Sequence, residues 1–138
     1  MGIRSIIHKM TAPSHNGESP SGPVKLVLII NNGLKMGKGK IAAQAGHASV
    51  QATLRAGEKS PLALQAWLSS GQKKICLKGD DADHLLVLEK QAKEAGLLTS
   101  KIHDAGHTQI PSGSLTVLAI GPCQDELVEK ITENLKLL

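Results

Sequence analysis

Residues 24–51 read VKLVLIINNGLKMGKGKIAAQAGHASVQ, and this stretch sets the class of the fold. The run from Val24 to Ile30 is almost wholly apolar, as expected of a buried strand. Alternating Gly and Lys follow, and from Lys40 the chain becomes Ala-rich and helical. Lys40, Gln44, His47 and Gln51 recur at i, i+4, i+7 and i+11, which places them within an arc of roughly 60° on one helix face. Ile41, Ala45, Ala48 and Ala52 are expected on the opposite side. A strand, a Gly/Lys turn and a helix N-terminus together suit an anionic ligand, because unpaired backbone N–H groups and cations converge there.

Outward from this stretch, the 138 residues make one domain, with enough chain to bury a core without disulfides. Phe and Tyr are absent and Trp67 is the single Trp, so Leu, Ile, Val and Ala must fill that core. The same lack of aromatics disfavours nucleic-acid binding by base stacking. Net charge is +4, and it is polarised. Lys25, Lys35, Lys38, Lys40 and Arg55 fall between Val24 and Gly57 with no acid among them, and acids begin again at Glu58. Such a basic half suits a phosphate-rich partner, although a solvated basic face has the same composition. Cys76 and Cys123 lack a metal-ligand or Cys-x-x-Cys spacing, which points to a reducing compartment. No apolar run approaches the roughly 20 residues of a membrane span.

Residues 1–23, rich in Pro, Gly and Ser, read as a flexible tail, and residues 24–138 as the folded domain. Arg4, His8 and Lys9 precede the first acid, so a weak organelle-targeting peptide is a second reading of the tail. A myristoylation signal fails at Ile6. The expected strands are Lys25–Asn31, Lys73–Lys78, Leu98–His103 and Leu115–Ile120. The expected helices are Gly37–Ala56, Pro61–Ser69, Ala82–Ala95 and Gln124–Leu135, with Lys136 late and acids early to match the helix dipole. This alternation implies an α/β fold, with ligands beyond the carboxyl ends of strands.

Two clusters carry possible chemistry. A P-loop needs Gly, four residues, then Gly-Lys-Ser/Thr. Here five residues separate Gly33 from Gly39, and Ile41 stands where the hydroxyl belongs, so nucleotide-triphosphate hydrolysis is excluded on that motif. Gly46 inside the helix is costly unless it serves close packing or close ligand approach. The second cluster runs from His103 to Thr116, with Asp104 as a candidate water orienter or general base. A plain turn of Asp, Gly, Pro and Ser fits the same residues. No acidic cluster accompanies the histidines, so no metal site is expected, and no nucleophile elbow is present.

The motifs Lys35-Met-Gly-Lys-Gly-Lys-Ile-Ala-Ala-Gln44, His47, Asp104-Ala-Gly-x-Thr108-Gln109, Pro111-x-Gly113-Ser114-x-Thr116 and Gly121-Pro122 resemble the archaeal/eukaryotic-type (class II) peptidyl-tRNA hydrolases. The resemblance runs from Val24 to Leu138. It implies a three-layer α/β/α fold with a mixed four-stranded sheet flanked by helices, and usually a homodimer. It implies cleavage of the ester joining a peptide to the 3′ end of tRNA, with no metal and no cofactor. The catalytic positions carry over to Lys40, Asp104, Thr108 and Thr116. Lys38, Gln44, His47, His107, Gln109 and Ser114 match positions expected to hold peptidyl-tRNA. Asp104 would handle the water, Lys40 the oxyanion, and the threonines would position water and ester; His47 is a rival base. The basic residues from Lys25 to Arg55 would meet tRNA phosphates. Two departures stand out: His107 replaces a basic residue, and Asn31-Asn32-Gly33 replaces Arg-x-Asp. They keep a second reading open, a non-catalytic tRNA- or protein-binding adaptor on the same fold. A cytoplasmic location is expected, with a mitochondrial one as the alternative, and no membrane association.

Overall fold

Strand β1 (Val24–Asn31) is buried along its whole length. The computed structural model describes residues 2–4, 19–106 and 110–138. After β1 come a 3-10 turn (Asn32–Leu34), α1 (Lys38–Lys59), α2 (Pro61–Ser69), β2 (Lys74–Gly79), α3 (Ala82–Glu94), β3 (Thr99–His103), β4 (Leu115–Gln124) and α4 (Asp125–Thr132). The sheet order is β2-β1-β4-β3. β1 and β2 are parallel, and β4 is antiparallel to both of its neighbours. β1, β2 and β3 therefore end at one edge of the sheet, which is also where β4 begins.

The period of two along β1 explains why all of it is apolar. Leu26, Leu28 and Ile30 pack against Ala48, Ala52 and Ala56 of α1 and Leu64 and Trp67 of α2. Val27 and Ile29 point the other way, against Leu85, Leu88 and Ala92 of α3 and Val128 of α4. Helices thus cover both faces, as expected for the three-layer α/β/α fold. Each fully buried Leu, Ile or Val contributes about 1.5–3 kcal/mol. Alanines on the inner face of α1 bring its backbone close to the sheet, which compensates for missing aromatic volume. Trp67 is buried, and its indole Nε1–H donates to the Lys73 carbonyl at 2.8 Å.

Three expectations change. Strand β4 runs on through Gly121 and Pro122, joined by a cis peptide, to Gln124 rather than stopping at Ile120. The last helix ends at Thr132, not Leu135. Beyond it, Lys78 N–H donates to the Lys136 carbonyl at 2.9 Å and Leu138 N–H to the Cys76 carbonyl at 3.1 Å, with Leu77 paired to Leu137. Residues 136–138 run antiparallel to β2 through a single β-bridge, where they satisfy edge groups that solvent would otherwise meet. Lys25 also departs from expectation. It is 6% exposed and its Nζ lies 3.0 Å from Glu129 Oε1 of α4, so it sits inside the α3/α4 layer, not on a phosphate-binding surface.

Candidate active site

The turn after β1 is held by one asparagine. Asn31 Oδ1 accepts from Gly33 N–H at 3.1 Å, and its Nδ2 donates to the Leu115 carbonyl at 2.8 Å. A neutral amide thus fastens the turn to the start of β4, and no salt bridge is needed there. Gly33 is required by contact: a Cβ would stand 2.7 Å from the Asp80 carbonyl oxygen. Helix α1 then opens with Lys38 and Lys40, an N-cap Gly37 that lacks a side-chain cap, and no acid in the first turn. Backbone N–H groups and ammonium groups share that end.

The loop after β3 is built around Asp104. Its N–H donates to the Ser114 carbonyl at 2.8 Å, and its carbonyl accepts from Gly113 N–H at 3.0 Å, which closes the loop at its base. Its Oδ2 accepts from Gly106 N–H at 3.0 Å. Gly106 has φ +89, and a Cβ there would stand 2.8 Å from Ser112 Oγ, so only glycine delivers that N–H without strain. Asp104 Oδ1 is ion-paired with Lys40 Nζ. The carboxylate side chain is 1% exposed and the Lys40 side chain 19%. The loop after β3 therefore folds back onto the first turn of α1, and the cation is the part of the pair that solvent reaches.

Below the pair lies a buried polar contact. Ile102 pairs with Val117 while His103 pairs with Leu115, which leaves Thr116 as the extra residue of a β-bulge. Bulges re-aim side chains, and this one turns the Thr116 hydroxyl toward α1. Thr116 Oγ1 lies 2.6 Å from Gln44 Oε1 and 3.1 Å from the Ile102 carbonyl. A hydroxyl has one proton to give, so with Gln44 turned to present its amide nitrogen both contacts are satisfied. Thr116 is 0% and Gln44 5% exposed.

The structure thus brings together Lys40 and Asp104, and beneath them Gln44 and Thr116. Lys38 and His47 are exposed on α1. Ser114 Oγ donates to the Pro111 carbonyl at 2.7 Å, so its hydroxyl serves the loop. His107, Thr108 and Gln109 lie outside the described residues. The stripe expected along α1 is split: Gln44 joins Ala48, Ala52 and Ala56 in the buried face, and His47 stays outside. Among the described residues, nothing packs at Gly46: a Cβ there meets no atom of theirs within 4 Å. Two contributors escaped sequence reasoning, the Asn31 amide and the Gly106 N–H. The Asn-Asn-Gly turn signature was the available signal for the first. For the second, only the glycine in Asp104-Ala105-Gly106 hinted at it.

The chemistry of the remaining groups narrows the reaction. Burial pushes the Cys76 thiol up, and burial aided by Asp125 pushes Cys123 up to about 12. Neither is poised as a thiolate nucleophile. Among the described residues, no three His, Cys, Asp or Glu side chains converge as metal ligands. No helix among them is long and apolar enough to cross a membrane. What the edge does present is an ammonium tethered by a buried carboxylate. That arrangement suits stabilisation of a developing oxyanion.

Comparison with known proteins agrees with this architecture. The family described as "Peptidyl-tRNA hydrolase PTH2" matches residues 24–138. Peptidyl-tRNA hydrolase of Methanocaldococcus jannaschii is 49% identical over 115 residues, covering 83% of this chain and 100% of that protein. Its counterpart in Methanococcus vannielii is 50% identical over 111 residues, 80% of this chain and 96% of the relative. The mouse protein named "Peptidyl-tRNA hydrolase 2, mitochondrial" is 48% identical over 117 residues, 85% of this chain and 65% of that longer protein. The matched segment contains both ends of the Lys40–Asp104 pair and all of the sheet that positions it, and the chain belongs to the PTH2 family of peptidyl-tRNA hydrolases.

Proposed function

We propose that the Lys40–Asp104 pair carries the reaction of this peptidyl-tRNA hydrolase. Water adds to the carbonyl carbon of the ester between peptide and tRNA 3′ ribose. The resulting oxyanion collapses, the bond from carbonyl carbon to ribose oxygen breaks, and that oxygen takes the proton that Asp104 received from the attacking water. Peptide acid and free tRNA leave. Lys40 faces the oxyanion, and Asp104 fixes the ammonium and accepts a hydrogen bond from the attacking water. Thr108 and Gln109, a few residues beyond Asp104 in the sequence, act on water and tRNA end with His107. Thr116 works through Gln44, since its own hydroxyl is buried. Lys38 and Ser114 flank the site, and exposed Lys35 and Lys38 take tRNA phosphates.

The observation that carries this reading is the ion pair itself, formed across 64 positions of sequence at the edge where three strands end. The reaction runs without metal or cofactor, in a homodimer, in the cytoplasm or in mitochondria. Purified protein treated with a chelator is expected to release tRNA from peptidyl-tRNA at its untreated rate. Binding of tRNA with no release at all would instead establish the adaptor reading. His47 stands exposed three residues beyond the buried Gln44 and offers a rival base. An unchanged pH–rate profile in His47→Ala is expected with Asp104 in the proton-accepting role; loss of one limb transfers that role to His47.

A further inference from the structure

A second cationic site lies on the same edge of the sheet, at the exit of β2. A cleft of about 350 Å³ there is lined by Asn32, Lys78, Asp80, His84, Asn134 and Lys136, among others. Two features mark it out. The first is the pairing of residues 136–138 with β2, which sets Lys136 directly opposite Lys78. Directly opposed side chains have Cβ atoms about 5 Å apart, and like charges so placed destabilise a sheet. The second is the absence of compensation. Both lysines are exposed, and among the described residues neither is ion-paired. Of the nearby acids, Asp81 caps α3 through His84 N–H at 2.8 Å, and the Asp80 carboxylate, also at the cleft, is 87% exposed to solvent. His84 Nδ1 accepts from Asp80 N–H at 3.0 Å, so the neutral ring carries its proton on Nε2 as a further donor.

We propose that this cleft binds a backbone phosphate of the substrate RNA, a few nucleotides from the scissile ester. The inference rests on the peptidyl-tRNA hydrolase reading given above. A phosphate between Lys78 and Lys136 turns their mutual repulsion into attraction for one anion. Asn32 and Asn134 supply neutral donors at its rim. The position fits the chemistry. Asn32 belongs to the turn that leads to Lys35, Lys38 and Lys40, so the cleft continues the basic edge of the active site. The axes of β2 and β3 are three strand spacings apart, about 14 Å. That span matches about four stacked nucleotides at roughly 3.4 Å each. The cleft therefore holds the strand whose 3′ ester the Lys40–Asp104 pair cleaves.

The test compares Lys78→Gln/Lys136→Gln with a charge-matched control, Lys90→Gln/Lys130→Gln, whose lysines are exposed on α3 and α4. Substitution at these exposed positions leaves the backbone pairing in place, and unchanged thermal unfolding checks this. The cleft variant is expected to raise KM for full-length peptidyl-tRNA about tenfold with kcat kept. It is expected to spare an N-acetyl-aminoacyl-adenosine ester, which has no phosphate to reach the cleft. Its affinity for deacylated tRNA is expected to fall by the same factor, with a log–log salt slope shallower by about 0.7 for each phosphate the protein no longer neutralises. Unchanged affinity for deacylated tRNA overturns the proposal, as does equal weakening by the control or an equal loss on the adenosine ester. The affinity comparison needs no turnover, so it decides the cleft even if the wild type binds tRNA without cleaving it.

Discussion

At the scale of single residues, the proposed site rests on side chains that meet almost no solvent. Asp104 and Thr116 are buried, and each is placed by a local irregularity: a glycine at positive φ for one, a bulge for the other. Thr116→Val keeps the shape and removes the hydroxyl, so Gln44 is left without its buried partner. A destabilisation of about 1–3 kcal/mol is expected in thermal or urea unfolding, together with reduced kcat. Thr116→Ser should recover most of both; a valine variant with wild-type stability and kcat contradicts the positioning role. Cys123 gives a second check. Its folded thiol titrates near 12 against an ordinary value of 9.0, raised chiefly by burial. The folded state therefore holds a proton that the unfolded state releases between those values. The stability contribution is intact below about pH 9 and declines as pH rises toward 12. Cys123→Ala is expected to flatten the loss of unfolding free energy over that alkaline window.

At the scale of elements, periodicity fixed most of what was legible. The uninterrupted apolar run of β1 announced a strand covered on both faces, and the burial of all its residues agrees. The helix stripe was harder. An arc of roughly 60° placed Lys40, Gln44, His47 and Gln51 together, yet the buried face begins at Gln44, because the Thr116 bulge offers a partner there. No helical wheel contains that bulge. Lys25 misled for the same reason: its charge reads as surface until Glu129 of α4 is seen beside it. Helix α4 ends before Leu135 although the pattern through Leu135 stays helix-compatible, because the edge of β2 draws residues 136–138 away. Gly46 belongs to this scale too. Nothing among the described residues fills the space at its Cβ, so Gly46→Ala should raise stability by about 0.5–1 kcal/mol. If the open face of α1 lies against substrate, the same variant raises KM for peptidyl-tRNA. An unchanged KM removes ligand approach as the reason for that glycine.

At the scale of the whole molecule, the topology does the assembling. Three parallel strand ends and one antiparallel strand start share an edge, which brings residues near 31, 40, 79, 104 and 115 into one neighbourhood. The sequence carried the motifs in order but not their convergence. That convergence follows from the sheet order β2-β1-β4-β3, a non-local property no spacing rule encodes. It also explains the charge polarity. Lysines that look scattered along the chain collect at the edge proposed to receive the RNA 3′ end, while Lys25 and Lys73 pair with acids of α4. The proposed chemistry stands on one contact, the ion pair between Lys40 and Asp104. Its most direct test is the single-turnover rate of peptidyl-tRNA hydrolysis by Asp104→Asn, with tRNA affinity measured alongside. A fall of about 100-fold or more, with affinity and fold retained, is the predicted result. Hydrolysis at the wild-type rate contradicts it.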